Sequence, residues 1–198
     1  MVSIPKDEIK RKVFHLLSLL YAFGYLYLPK KVVIFCLAAV LTGVALMEYM
    51  RFKFSKFNDF FKNNFKGFYR LNEADKMSGL IWTLSGAFIS IILFRNRNIV
   101  FASFLYLAFG DTAAALAGKT LGKHKFTVTG KSLEGSMACF TVCFIIGLFL
   151  FNMRFALIGA VVASLIEAVP WILNDNFWMQ ILNAGFLTVI SKMIVWVK

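Results

Sequence analysis

The sequence predicts an all-α, polytopic integral membrane protein of about seven transmembrane helices, with a cytoplasmic N-terminus and one interfacial amphipathic helix. Three observations carry this expectation. Hydrophobic residues make up 60% of the 198 residues and charged ones only 16%, and the mean hydropathy is +0.73, outside the range of an ordinary soluble domain. The apolar residues fall in long blocks separated by short charged ones, as in helices that cross a bilayer. The net charge of +12 is spread unevenly, and most basic residues flank apolar blocks. That placement fits anionic lipid headgroups and a phosphate-bearing substrate, and argues against nucleic acid as a partner. Spans and their connections use up nearly the whole chain, so residues 1–198 read as one integral domain.

Each element follows from the order of the blocks. Residues 1–12 form a basic lead-in, and the first span covers about 13–28, closed by Pro29-Lys30-Lys31. It contains His15 and has no clear small-residue cleavage site, so it is expected as a mature span rather than a signal peptide. The second span is about 32–50. Residues 51–76 have a different texture. Phe54, Phe57, Phe61, Phe65 and Phe68 recur three or four apart, with Lys53, Lys56, Lys62, Lys66 and Arg70 around them. This pattern predicts a helix lying in the headgroup plane. The third span is 77–94, ended by Arg95-Asn96-Arg97-Asn98. The fourth is 99–118, with Gly110 and Asp111 well inside. A glycine- and lysine-rich loop, 119–135, leads to the fifth span at 136–151. The sixth is 155–173, with Glu167 and Pro170 near its end, and the seventh is 177–197. Cys36, Cys139 and Cys143 all lie in apolar blocks without metal-type spacing, and read as inert buried thiols.

Lysine and arginine set the orientation. With seven spans, the N-terminal side carries fifteen of the 22 basic residues: four in the lead-in, seven between spans two and three, and four between spans four and five. The positive-inside rule puts that side in the cytoplasm. Every unusual polar residue at a span end then gathers on one face. Arg11, Lys12 and His15 open span one there, Glu48 and Arg51 close span two, and Asp111 and the lysine loop close span four. Glu167, Asp175 and Asn176 close span six. Such a gathering is expected of a single site.

The stretch 110–136, GDTAAALAGKTLGKHKFTVTGKSLEGS, is the centre of that expectation. An acid at membrane depth is costly and usually functional. Gly122, Gly130 and Gly135 allow close backbone approach to an anion, and Lys119, Lys123, Lys125 and Lys131 supply mobile positive charge. The loop is expected to hold a nucleotide triphosphate at the membrane surface. It is not a P-loop, because Lys125 stands where the first glycine is required and no strand precedes it.

GDTAAALAGKTLGKHK followed by GKSLEGSMA resembles the CTP-dependent lipid-alcohol kinases, a family that includes dolichol kinase, phytol kinase and the CTP-dependent diacylglycerol kinase. The resemblance extends to Arg11-Lys12-x-x-His15, to Glu48-x-x-Arg51, to Glu73 with Ser78-Gly79, and to Glu167 followed by Asp175-Asn176. No proline follows Asp175-Asn176, which departs from many family members. The Gly-Asp-Thr and Lys-x-x-Glu-Gly elements also resemble phosphatidate cytidylyltransferases, but the acidic, Gly-rich C-terminal segment of those enzymes is missing here. The resemblance implies transfer of the γ-phosphoryl group of CTP to a membrane lipid alcohol, whether polyprenol, phytol-like isoprenoid or diacylglycerol. A cytidylyltransferase-like enzyme and a small transporter are the alternatives.

Phosphoryl transfer needs positioning and charge neutralisation more than covalent participation by the protein. Asp111, Arg11, Lys12 and His15 are the expected catalytic group. Gly118, Lys125, Lys131, Ser132, Gly135 and Ser136 are the expected nucleotide-binding set, although a helix cap alone accounts for Ser132. Asp111 and Glu134 are the expected ligands of Mg²⁺, and Asp111 has the alternative role of general base. Glu48, Arg51, Glu167, Asp175 and Asn176 are expected to support the site. His124 is assigned no role. The remaining expected partners are anionic membrane lipids and a second copy of the chain. The expected location is a multi-pass position in a prokaryotic cell membrane in preference to the ER, with the site facing the cytoplasm.

Overall fold

A computed structural model describes residues 12, 15–64, 76–171 and 173–196. The protein is helical there, and the only extended pairing among the described residues is one isolated bridge between Lys125 and Ser132. In chain order the helices are α1 (Ser18–Tyr27), α2 (Lys30–Lys53), α3 (Ser55–Asn64), α4 (Gly79–Leu93), α5 (Arg97–Thr120), α6 (Leu133–Leu150), α7 (Met153–Ala168) and α8 (Asp175–Trp196). Apart from α3, each coincides with one of the apolar blocks. Three of them, α2, α5 and α6, are long and apolar enough to cross a membrane, and the shorter α4 is apolar as well.

The boundaries shift from those read off the sequence for local reasons. Asn96 accepts from the backbone N–H of Asn98 and Ile99 and so starts α5 before the apolar run begins. Ser132 caps α6 by accepting from Gly135 N–H at 3.1 Å, and Asn152 caps α7 by accepting from Phe155 N–H. The connection between α5 and α6 therefore narrows to 121–132. Of the segment expected at the interface, 51–53 complete α2 and 55–64 form α3, while 65–75 lie outside the described residues, as do Arg11 and Glu73.

Helix α5 is the hub. It contributes Ile99, Ala102, Tyr106 and Leu107 to one core, with Cys139, Cys143, Phe155, Ala160, Met179 and Leu187 from α6, α7 and α8. It contributes Val100, Phe101 and Phe104 to a second core, with Ala22, Tyr25, Leu37, Leu84 and Ile91 from α1, α2 and α4. Its apolar stretch is 61% buried, against 17% for α2 and 22% for α6. The outer helices turn large side chains outward, among them Leu20, Phe35 and Phe149, each more than 70% exposed. Apolar surface of that extent needs lipid rather than water around it.

Close helix contact depends on small residues, as is usual where burial in lipid supplies little drive for association. A Cβ at Gly147 would lie 2.9 Å from Ala156 Cα, and one at Gly159 would lie 2.9 Å from the Tyr106 hydroxyl. At Gly86, α4 meets α8, and a Cβ would lie 2.8 Å from Gln180 Nε2 and 3.0 Å from the Phe177 carbonyl. By contrast, nothing stands within 4 Å of a Cβ built at Gly43 on α2. Gly86→Leu should therefore force α4 and α8 apart and cost about 1–3 kcal/mol, seen as a lower melting midpoint in detergent. Gly43→Leu should melt with the wild type or above it. Equal midpoints for the two variants would contradict this packing.

Candidate active site

The site is built where α5 changes its pitch. Residues Tyr106–Asp111 form a π-helical turn inside an otherwise α-helical element, and such single wide turns cluster at functional positions. Gly110 lets the turn press against α6, since a Cβ there would stand 2.5 Å from Cys143 Sγ and 3.2 Å from Cys139 Sγ. Asp111 closes the turn. Its Oδ2 accepts a hydrogen bond from Lys12 Nζ, which also reaches the Asp111 carbonyl at 3.3 Å. His15 Nε2 stands 3.8 Å from the same carboxylate oxygen, and the side chains of Lys12, His15 and Asp111 are 9, 10 and 13% exposed. The backbone of Leu107, within the wide turn, lies close enough to His15 to act on its ring. A buried ion pair barely repays its desolvation, so these charges are better understood as a device than as a source of stability.

A second group adjoins the first. Lys131 Nζ donates to the Glu167 carbonyl at the C-terminal end of α7 and lies 3.4 Å from Glu167 Oε1 and 3.5 Å from Asp175 Oδ2. Helix polarity favours both contacts, a cation at the end of α7 and a carboxylate in the first turn of α8. Ser136 Oγ donates to Glu167 Oε2 at 3.1 Å. Asp111 feels the charges of Lys12, His15 and Lys131, and Glu167 those of Lys131 and Asp111. Lys12, His15, Asp111, Lys131, Ser136, Glu167 and Asp175 thus form one electrostatic neighbourhood at one end of the helices.

The remaining expected residues are placed as follows. Glu48 and Arg51 pair at 2.7 Å in a buried position, and Arg51 also donates to the Lys76 carbonyl at 2.5 Å, so the end of α2 is tied to the chain entering α4. That chain brings Gly79 to within 3.7 Å of Asn176 Nδ2, measured from a Cβ built on the glycine. In the connection 121–132, Phe126 N–H donates to the Lys131 carbonyl and Leu133 N–H to the His124 carbonyl, and Gly130 turns the chain with φ +67°. Lys125 is exposed there, as are Lys119 and Lys123.

Gly118 and Gly135 pack closely around Ser132. Cβ atoms there would lie 3.0 and 3.2 Å from Ser132 Oγ, and one at Gly122 would lie 2.8 Å from it. These glycines let the end of α5, the loop and the start of α6 close around the capping serine. The two expected metal ligands have different partners. Glu134 accepts from His124 N–H at 3.2 Å and meets His124 Nδ1 at 2.8 Å, while Asp111 is engaged by Lys12. Among the described residues no group of three or more His, Cys, Asp and Glu side chains is arranged to hold an ion.

Two features were missed in the sequence. His124, given no role, is the partner of Glu134. Gln180, fully buried in α8, accepts from Tyr21 Oη of α1 at 3.1 Å and donates to the Thr83 carbonyl of α4 at 2.9 Å and the Asn176 carbonyl at 3.0 Å. The signal was available, since Gln180 and Asn183 are amides inside an apolar block and intramembrane polar groups seek partners.

Fold and site together define an all-helical, membrane-embedded protein whose paired charges converge at one end of a helix bundle. The chain belongs to the same family as an uncharacterized protein of Rickettsia prowazekii, to which it is 30% identical over 148 residues, 73% of this chain and 71% of the relative. It is similar to CTP-dependent diacylglycerol kinase 1 of Saccharomyces cerevisiae, with 29% identity over 96% of this chain and 75% of that protein. It is also similar to the protein of the same name from Eremothecium gossypii, with 26% identity over 93% and 67%. No family model and no solved structure matches the chain.

Removing Lys12 should expose how the site holds its charge. Lys12→Met leaves Asp111 buried without its cation, a change that costs about 3–5 kcal/mol. The double variant Lys12→Met/Asp111→Asn should recover most of the lost melting temperature. A Lys12→Met protein melting with the wild type would show that the carboxylate does not depend on this ammonium.

Proposed function

We propose that the protein is a CTP-dependent lipid kinase that transfers the γ-phosphoryl group of CTP to the hydroxyl of a membrane lipid alcohol. One observation carries the reading: Lys12, His15, Asp111 and Lys131 meet at one end of the bundle, in a chain similar over most of its length to two CTP-dependent diacylglycerol kinases. Diacylglycerol is accordingly the first alcohol to test, ahead of polyprenols and phytol-like isoprenoids.

In the reaction the alcohol oxygen attacks the γ-phosphorus. An O–P bond forms, the bond from that phosphorus to the bridging oxygen breaks, CDP leaves with the electron pair, and the hydroxyl proton is released to water. The side chains position the reactants and neutralise charge. Lys12 and Lys131 bring ammonium groups to the phosphates, and Lys125 adds a third from the loop. Asp111 aims Lys12, and Glu167 and Asp175 aim Lys131 until phosphate replaces them. Integral placement follows from the substrate, whose hydroxyl sits at headgroup depth while its tail stays in hydrocarbon. We read the seven apolar helices as seven crossings, with the site on the cytoplasmic side of a prokaryotic membrane. Helix α3, in which Phe57 and Phe61 pack at 5.6 Å and Phe60 is exposed, lies along anionic headgroups beside it.

The test is purified protein in detergent micelles with Mg²⁺, γ-labelled CTP and a panel of diacylglycerol, polyprenol and phytol-like alcohols. Label should enter a phospholipid with release of CDP, and Asp111→Asn should lower the rate at least 100-fold. Pyrophosphate release with phosphatidate would make the protein a cytidylyltransferase. Transfer to none of the alcohols would overturn the kinase reading.

A further inference from the structure

We propose that His15 is the residue that receives the lipid hydroxyl: its Nε2 accepts the hydrogen bond of the reacting alcohol and orients that oxygen toward the γ-phosphorus. This rests on the kinase reading and goes beyond it by assigning the acceptor subsite to one atom.

The argument starts from an unmet hydrogen bond. Nε2 of His15 is buried and has no hydrogen-bond partner among the described residues, although the side chain is only 10% exposed. Buried polar atoms are ordinarily paired, and an exception calls for an explanation. A neutral imidazole has one donor nitrogen and one acceptor nitrogen. The Leu107 backbone acts on the ring, and since Nε2 is unpaired it is Nδ1 that faces that carbonyl. A backbone carbonyl can only accept, so Nδ1 carries the proton and Nε2 offers a lone pair.

That lone pair selects its ligand. Phosphate oxygens are acceptors and have nothing to donate to it, whereas an alcohol is a donor. The acceptor beside it, Asp111 Oδ2, is engaged by Lys12 Nζ. A hydroxyl on Nε2 would lie beside that ammonium, which neutralises the phosphoryl group it attacks. Position agrees with chemistry. His15 lies just before α1, whose flanking Leu17 and Leu20 are 51 and 73% exposed. An acyl or isoprenoid tail can run along these two leucines while the hydroxyl reaches the ring.

Three variants in the full-length protein test this, assayed with γ-labelled CTP and each alcohol of the panel. His15→Phe keeps a ring but removes both nitrogens. His15→Asn keeps an amide near Nδ1 with nothing at the Nε2 position. His15→Gln restores an acceptor near Nε2. His15→Phe and His15→Asn should each lose about 100-fold or more in kcat/KM for the alcohol, the scale of a lost contact to the reacting group. His15→Gln should regain at least tenfold over them. All three should bind a non-hydrolysable CTP analogue within twofold of wild type. If His15→Phe does not fold, the comparison of His15→Asn with His15→Gln decides alone. Activity of His15→Asn within threefold of wild type, a His15→Gln protein no better than His15→Asn, or CTP affinity falling as far as turnover would each overturn the subsite. A wild type that labels no alcohol fails the kinase reading instead, so the two failures are distinguishable.

Discussion

The ion pair between Lys12 and Asp111 is the constraint on which the rest of the arrangement depends. A carboxylate enclosed by apolar helices must have a cation, and no residue near it in the chain supplies one. The ammonium comes from 99 positions away, so the segment before α1 has to fold across α5. That demand explains why α1 packs on the first half of α5 and on α2, and why the second core forms where these elements meet. A membrane interior makes the pairing more exacting than water would, because water is not there to accept an unpaired charge.

Charge is handled similarly at the neighbouring points. Lys131 binds the end of α7 to the start of α8, and Arg51 binds the end of α2 to the entrance of α4. Each long cationic side chain joins two helix ends that hydrophobic packing alone would leave free to slide, since in lipid a leucine gains little by touching another leucine. Gln180 does the same task deeper in the bundle without a net charge, joining α1, α4 and α8.

Much of this was legible in the sequence, and what was not has physical causes. Helix throughout, with enough apolar length to cross a membrane, followed from the long blocks. The residues that meet around Asp111 were legible as polar residues at the ends of those blocks, because such residues stand out against an apolar background. The glycines of the lysine-rich stretch were read as a backbone cradle for phosphate. Gly118, Gly122 and Gly135 also clear space around Ser132 Oγ, and composition alone cannot distinguish close approach to a ligand from close approach to another helix. The partnership of Glu134 with His124 depends on a hairpin-like bend that brings positions ten apart together. The wide turn in α5 sets Gly110 close against Cys139 and Cys143 of α6, a tertiary fit with no local pattern.

That wide turn sets a phase relation within a single long helix. One residue advances an α-helix by about 100°, and a π turn takes up an extra residue without breaking the rod. The half of α5 before Tyr106 is therefore in register with the two cores, and the half after Asp111 is in register with α6 and the loop. The two faces can be varied independently only while the offset between them is kept. In this respect the helix works as a coupling shaft: side chains near its start face the lipid-embedded core at one angle, and Asp111 is presented to the charged mouth at another.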